Sequence, residues 1–259
     1  MAQLWTEKRV VISSDAAALA HDVAERLMVR LIRRSAGGKT SHLALTGGSI
    51  GTEVLRAAGA HPRRSEVDWS KVHLWWGDER FVPADDDERN DLAARRAFID
   101  HIDIPAQNVH AMATSDDAGD MAEVVSAYTA ELASFGDDEQ PWPPFYLCFL
   151  GVGPDGHIAS LFPDRGEIQV TDRPVVAVHD APKPPADRIT LTRPVINSAR
   201  CVWLVVSGTD KASALGLALA GASYETVPAA GAKGRRRTMF FIDEDAATNV
   251  PVELIDQEF

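Results

Sequence analysis

The stretch "PFYLCFLGVGPDGHIASLFP", residues 144 to 163, decides the fold. From 144 to 153 it is almost unbroken in its apolar character. A strand without hydrophobic–polar alternation buries both faces, the condition of a parallel sheet covered by helices on each side. Gly151, Gly153 and Gly156 then spell G-x-G-x-x-G, the spacing of a dinucleotide fingerprint. The residues between the glycines argue otherwise. Pro154 removes an amide that a pyrophosphate needs, and Asp155 directs a carboxylate at the same place. The motif also falls past residue 145, whereas a dinucleotide fold usually opens with it. The glycines therefore serve a turn, and its cargo is Asp155 and His157. A histidine near the start of a helix, with a carboxylate two residues away, is a general-base candidate.

The segments on either side extend the pattern. RVVIS (9–13), SHLALT (41–46), KVHLWW (71–76), RPVVAV (173–178), DRITLT (187–192), RCVWLVVS (200–207) and RTMFFI (237–242) read as strands. Helical patterns occupy 15–34, 50–58, 84–96, 115–134 and 210–221. This alternation predicts an α/β fold: a doubly wound, mostly parallel sheet with helices on both faces, residues 1–259 forming one domain. "GDDEQPWPP" (136–144) and "HDAPKPPAD" (179–187) read as surface loops.

A net charge of −12 argues against nucleic acid or an anionic membrane as partner, so an anionic ligand needs basic residues gathered locally. No apolar run approaches the ~18 residues of a membrane span. The N-terminal MAQLWTEKRVVISSD lacks the basic-then-apolar order of an export signal. Cys148 and Cys201 sit inside apolar strands and read as buried reduced thiols. A cytoplasmic protein, monomeric or a small homo-oligomer, is expected. No His, Cys or carboxylate cluster has metal-ligand spacing.

In doubly wound sheets ligands bind outside the carboxyl ends of the strands. After the second strand comes TGGSIG (46–51), where Gly47, Gly48 and Ser49 can turn amides toward an anion at a helix N-terminus. Gly47, Ser49 and Gly51 also fit G-x-S-x-G, with Ser49, Asp155 and His157 in chain order. An Asp and a His two apart are poorly placed as orienter and base in that arrangement. "AGGKT" (36–40) is not a P-loop, because Arg33 stands where its first glycine belongs. After the third strand, WWGDER (75–80) sets Asp78, Glu79 and Arg80 in alternating charge. After the Cys201 strand, SGTDKA (207–212) puts Lys211 in a first helical turn, where a cation opposes the macrodipole unless an anion intervenes. "KGRRR" (233–237), spanning Lys233 to Arg237, reads as a solvated loop, and His73 as a core histidine.

Five blocks in order, "LALTGGS", "VHLWWGDERFVP", "FLGVGPDGHIASLFP", "RITLTRPVIN" and "FFIDEDAA", resemble the 6-phosphogluconolactonase family over residues 43 to 247. The resemblance implies a Rossmann-like fold shared with glucosamine-6-phosphate deaminase. It also implies hydrolysis of 6-phosphogluconolactone in the oxidative pentose phosphate pathway, without a cofactor. Ile50 and Gly51 depart from the Thr-Pro that the family often carries after its G-G-S. The deaminase relatives carry a carboxylate five residues after the histidine, where this chain has Phe162, and that favours the lactonase.

By this resemblance His157 activates a water against the lactone carbonyl, and Asp155 orients the imidazole or holds a sugar hydroxyl. Arg80 stabilises oxyanion charge or binds phosphate. Gly47, Gly48, Ser49, Lys211 and Arg188 form the phosphate pocket, with Asp78 also on the substrate. The same fold serves elsewhere as a sugar-phosphate sensing module without turnover, but no helix-turn-helix segment accompanies it here.

Overall fold

The computed structural model describes residues 8–250 and Leu254; residues 1–7 of the N-terminal stretch read for an export signal lie outside the described residues. The chain runs β1 (Lys8–Ser13), α1 (Ala16–Ala36), β2 (Ser41–Leu45), α2 (Ser49–Gly59), β3 (Val72–Trp76), β4 (Asp78–Arg80) and α3 (Asn90–Ala97). It continues through β5 (Val109–His110), α4 (Met121–Ala133), β6 (Phe145–Gly151), β7 (Val175–Val178) and β8 (Arg188–Leu191). The last elements are α5 (Arg193–Ser198), β9 (Cys201–Val206), α6 (Ala212–Leu219) and β10 (Arg237–Asp243).

Seven strands form one sheet in the order β1-β10-β9-β6-β2-β3-β5, and every pairing in it is parallel. From β2 the chain winds outward to β3 and β5, then returns to β6 on the other side of β2. The crevice between β2 and β6 is therefore the point where the winding reverses. Residues Phe145–Leu150 of β6 are all buried, as their unbroken apolar run requires. Against the sheet lies α1, whose Asp15 caps it by accepting from the Ala18 amide at 2.8 Å. Leu19, Val23, Leu27 and Leu31 form its buried stripe at helical spacing. Its Arg26, Arg30 and Arg34 lie over the rings of Phe241, Trp203 and Tyr146, on β10, β9 and β6 in turn. One helix thus spans three neighbouring strands.

The structure corrects the sequence reading of several elements. Strands β7 and β8 do not join the parallel sheet; they make a separate antiparallel sheet in the order β4-β8-β7. The Asp78–Arg80 strand supplies its edge, and Leu191 donates to the Gly77 carbonyl at 2.8 Å to tie the two sheets together. The segment 84–96 is helical only from Asn90, because Asp86 folds 84–89 into a turn by accepting from the Glu88 amide. The segment 115–134 starts its helix at Met121, where Asp120 accepts from the Glu123 amide at 3.0 Å. A short helix at Arg193–Ser198, begun by Pro194, was not expected. Among the described residues no helix is long and apolar enough to cross a membrane.

Candidate active site

At the reversal point the Gly151 amide donates to Thr46 Oγ1 at 3.2 Å, stitching the end of β6 to the end of β2. Around this stitch opens a polar cavity of about 470 Å³. It is walled by the turns after β2, β6 and β9, by β4, and by the loop before β8.

The turn after β6 is not a helix start, contrary to the sequence expectation; it folds back on itself. Gly153 donates to the His157 carbonyl and Gly156 to the Gly153 carbonyl, both at 2.9 Å. Gly156 needs its φ of +84°. A Cβ on Gly153 would land on His157 Nδ1 and Asp155 Oδ1, so glycine there lets the acid–base pair close over the backbone. His157 Nδ1 lies 2.6 Å from Asp155 Oδ1. Burial works to raise the Asp155 pKa, but the hydrogen bond and charge of His157, with Lys183 beside them, hold it well below the usual carboxylate range. An ionised carboxylate only accepts, so the proton sits on Nδ1 and Nε2 is left as the acceptor. Behind the imidazole, at 4.6 Å between ring centroids, packs the buried Phe162.

The strand pleat divides β4. Asp78 and Arg80 line the cavity, whereas Glu79 points away from it and is buried. Glu79 Oε1 accepts from the Arg80 and Asn90 amides and Oε2 from the Asp91 amide, each at 2.8 Å, so it caps α3. Burial pushes the Glu79 pKa up, and Arg89 with the three amides offsets part of that. Asp78 Oδ2 accepts from the buried Ser160 Oγ at 2.7 Å. Arg80 donates through Nη1 to the Asn90 side-chain oxygen and to the Glu88 carbonyl, while its buried Nε has no hydrogen-bond partner among the described residues.

Three more cations face the cavity. Lys183, from the proline-rich loop, has its Nζ 3.6 Å from Asp155 Oδ1. Arg188 also lines the cavity, but its Nε and Nη2 donate to the carbonyls of Pro185, Lys183 and Pro184 at 3.0–3.1 Å. Much of its hydrogen-bonding capacity thus holds the loop that carries Lys183. Lys211 stands just ahead of α6 and pairs with Asp210. Its turn is fixed from below by buried Asp243, which accepts from Ser207 Oγ and the Gly208 amide. Opposite, α2 begins with no side-chain cap, its entry residue Gly48 at φ +79°. Its first amides stay available to an anion.

Of the nine residues picked from the sequence, all but Asp155 line this cavity, and Asp155 stands behind His157 holding its ring. Asn90, Lys183 and Asp210 also line it and were not anticipated. Asn90 lay in what read as a polar helix and Lys183 in what read as a plain loop; a lysine among prolines was the one usable signal. Among the described residues no hydrogen bond joins Ser49 to His157, whose Nδ1 is taken by Asp155. No three His, Cys, Asp or Glu side chains among them are grouped to hold a metal ion. The "KGRRR" loop precedes β10, at the opposite end of the strands from the cavity.

A doubly wound sheet with a His–Asp pair and four cations about the cavity at its reversal point has the architecture of a Rossmann-like protein. A profile of glucosamine-6-phosphate isomerases/6-phosphogluconolactonase matches residues 14–241. The chain belongs to that family. It is 42% identical to a 6-phosphogluconolactonase of Streptomyces coelicolor over 250 residues, 95% of this chain and 96% of that one. It is 50% identical to the Mycobacterium tuberculosis 6-phosphogluconolactonase over 211 residues, 81% of this chain and 85% of the relative. The solved 6-phosphogluconolactonase of Trypanosoma brucei superposes with a TM-score of 0.83 at 26% identity, over 95% of this chain and all of the other. A monomeric glucosamine-6-phosphate deaminase, at 20% identity, shares the fold with a TM-score of 0.77, over 93% of this chain and 99% of the other.

Proposed function

We propose that the chain hydrolyses 6-phospho-D-glucono-1,5-lactone to 6-phosphogluconate, the step that opens the lactone in the oxidative pentose phosphate pathway. The observation that carries this reading is the His157–Asp155 pair, with no hydrogen bond to Nε2 among the described residues and His157 lining a cavity shared with Arg80, Lys183, Arg188 and Lys211. Nε2 of His157 takes a proton from a water as that water's oxygen bonds to the lactone carbonyl carbon. The carbonyl becomes an oxyanion, and Arg80 is the cation proposed to meet it. Collapse breaks the bond to the ring oxygen, which receives the proton from Nε2, and the freed acid ionises. No cofactor enters this scheme. The α2 amides after Gly47 and Gly48, Ser49 and Lys211 are proposed to hold the phosphate, with Asp78 taking a sugar hydroxyl. Holding the non-reacting phosphate places the carbonyl beside the water.

Phe162 speaks against the deaminase alternative. Ring opening and isomerisation need further proton transfers, and the position that would serve them is an apolar ring packed between His157 and the Arg188 guanidinium. A small-molecule sugar phosphate is then the partner. The buried, unpaired thiols of Cys148 and Cys201 fit a reducing compartment such as the cytoplasm.

The test is hydrolysis of the lactone, generated in place by glucose-6-phosphate dehydrogenase, by wild type and His157→Ala. Wild type should be fast, and the variant should lose roughly 10²–10⁴ in kcat with KM within a few-fold. Wild-type hydrolysis no faster than the blank would overturn the reading; ammonia release from glucosamine-6-phosphate would replace it.

A further inference from the structure

We infer that Asn90 is a positioning residue of this site, a single amide that aims Arg80. The inference rests on the proposed sugar-phosphate site. Asn90 is 4% exposed, and every edge of its side chain is used. Nδ2 donates to the Asp78 carbonyl at 2.9 Å, fixing the amide to the start of β4. Oδ1 accepts from Arg80 Nη1 two residues further along the same strand. The face of the amide lies against the turn after β2, so closely that a Cβ on Gly47 would coincide with it. Its own backbone amide is held by Glu79 Oε1 at 2.8 Å.

Three separate chain segments, the turn after β2, β4 and the start of α3, therefore converge on one planar group. The consequence for Arg80 is specific. Its Nη1 is committed to Asn90 and Glu88, which fixes one end of the fork, while Nε is buried with no hydrogen-bond partner among the described residues. A guanidinium held this way loses little freedom when an anionic oxygen arrives. The same contact accounts for the first glycine of the TGG turn, where any side chain would displace the Asn90 amide.

A double-mutant cycle separates positioning from general support. The variants are Asn90→Ala, Arg80→Ala and the pair, read both as kcat/KM on the lactone and as Kd for 6-phosphogluconate by calorimetry. Each single change should weaken both quantities by roughly 10–100-fold, the scale of one hydrogen bond to a charged group. The pair should be little worse than Arg80→Ala alone. In Asp155→Asn, by contrast, the Asn90→Ala effect should multiply in full. Asn90→Asp, which keeps an oxygen for Arg80 but loses the donor to Asp78, serves if Asn90→Ala does not fold, and its effect should likewise vanish in Arg80→Ala. Multiplicative losses in the Arg80 cycle, or no 6-phosphogluconate binding by wild type, would overturn the inference. A wild type that binds 6-phosphogluconate yet hydrolyses no lactone would overturn the functional reading instead, and the binding cycle still decides the role of Asn90.

Discussion

Asp155 stands outside the cavity lining, held against His157. Its carboxylate is ionised well below pH 4, so acid in the ordinary range does not remove its charge, whereas Asp155→Asn does. That change exchanges a pure acceptor for an amide that can also donate to Nδ1, and so permits the tautomer with Nε2 protonated. Loss of kcat by roughly 10²-fold or more with a small change in KM is expected in steady-state assays. Lys183 should behave in the opposite way. It lines the cavity and makes no hydrogen bond to His157, so Lys183→Ala should raise KM by roughly 10-fold and leave kcat within a few-fold. A fall in kcat alone would place Lys183 on the reacting centre. Gly153→Ala tests why the turn is built of glycine: its methyl group displaces the His–Asp pair, and kcat should fall while substrate analogues still bind.

At the scale of elements, adjacent parallel strands set three histidines in a row: His42 on β2, His73 on β3 and His110 on β5. His42 stacks on His73 at 4.6 Å and His73 on His110 at 5.3 Å. His110 Nδ1 pairs with Glu131 of α4 at 2.5 Å, and His42 Nδ1 accepts from Trp75 Nε1 at 3.1 Å. Burial, with the neighbouring His73 and His110, pulls the His42 pKa down from 6.5 to about 3. Burial also lowers His73, which proved half-buried and stacked rather than a plain core residue. The unfolded chain therefore binds more protons than the folded one between pH 6.5 and about 3. Stability is in full above that window and drains as pH falls through it, by at most about 1.4 kcal/mol per pH unit for each such histidine. Urea midpoints should drop from pH 7 to pH 5 in wild type, and less in His42→Asn, whose amide still offers Trp75 an acceptor.

This row also marks where sequence reading ends. The strands themselves were legible, since KVHLWW and SHLALT need only their apolar character to be seen. The pairing of β2 with β3 and of β4 with β8 is a long-range choice that no local pattern encodes. So the strand ends carrying His157, Arg80 and Lys211 could be listed, but not the amide of Asn90 between two of them. Short strands such as Val109–His110 carried too few residues to declare a period.

Over the whole molecule, a net charge of −12 surrounds a cavity lined by Arg80, Lys183, Arg188 and Lys211. The local field favours a phosphorylated ligand, and the global one opposes its approach. Added salt screens the distant negative charge, and its anions compete directly with the phosphate for the cations of a cavity open to solvent. KM for the phosphorylated lactone should rise several-fold between about 0.05 and 0.5 M salt, and KM for unphosphorylated gluconolactone should stay nearly flat. Equal responses of the two lactones would mean the cations do not read the phosphate.

The division of β4 by its pleat has a consequence for how this chain can vary. Asp78 and Arg80 face the cavity and Glu79 faces α3, so the three side chains are sorted by odd and even position alone. Inserting one residue between Gly77 and Asp78, or deleting Gly77, would reverse the sorting. Glu79 would then meet an incoming phosphate, and Arg80 would be driven beneath α3 against Arg89. The turn at 84–89 can absorb a change of length, but the three residues of β4 have no spare frame, and every workable variant of this site must keep their parity.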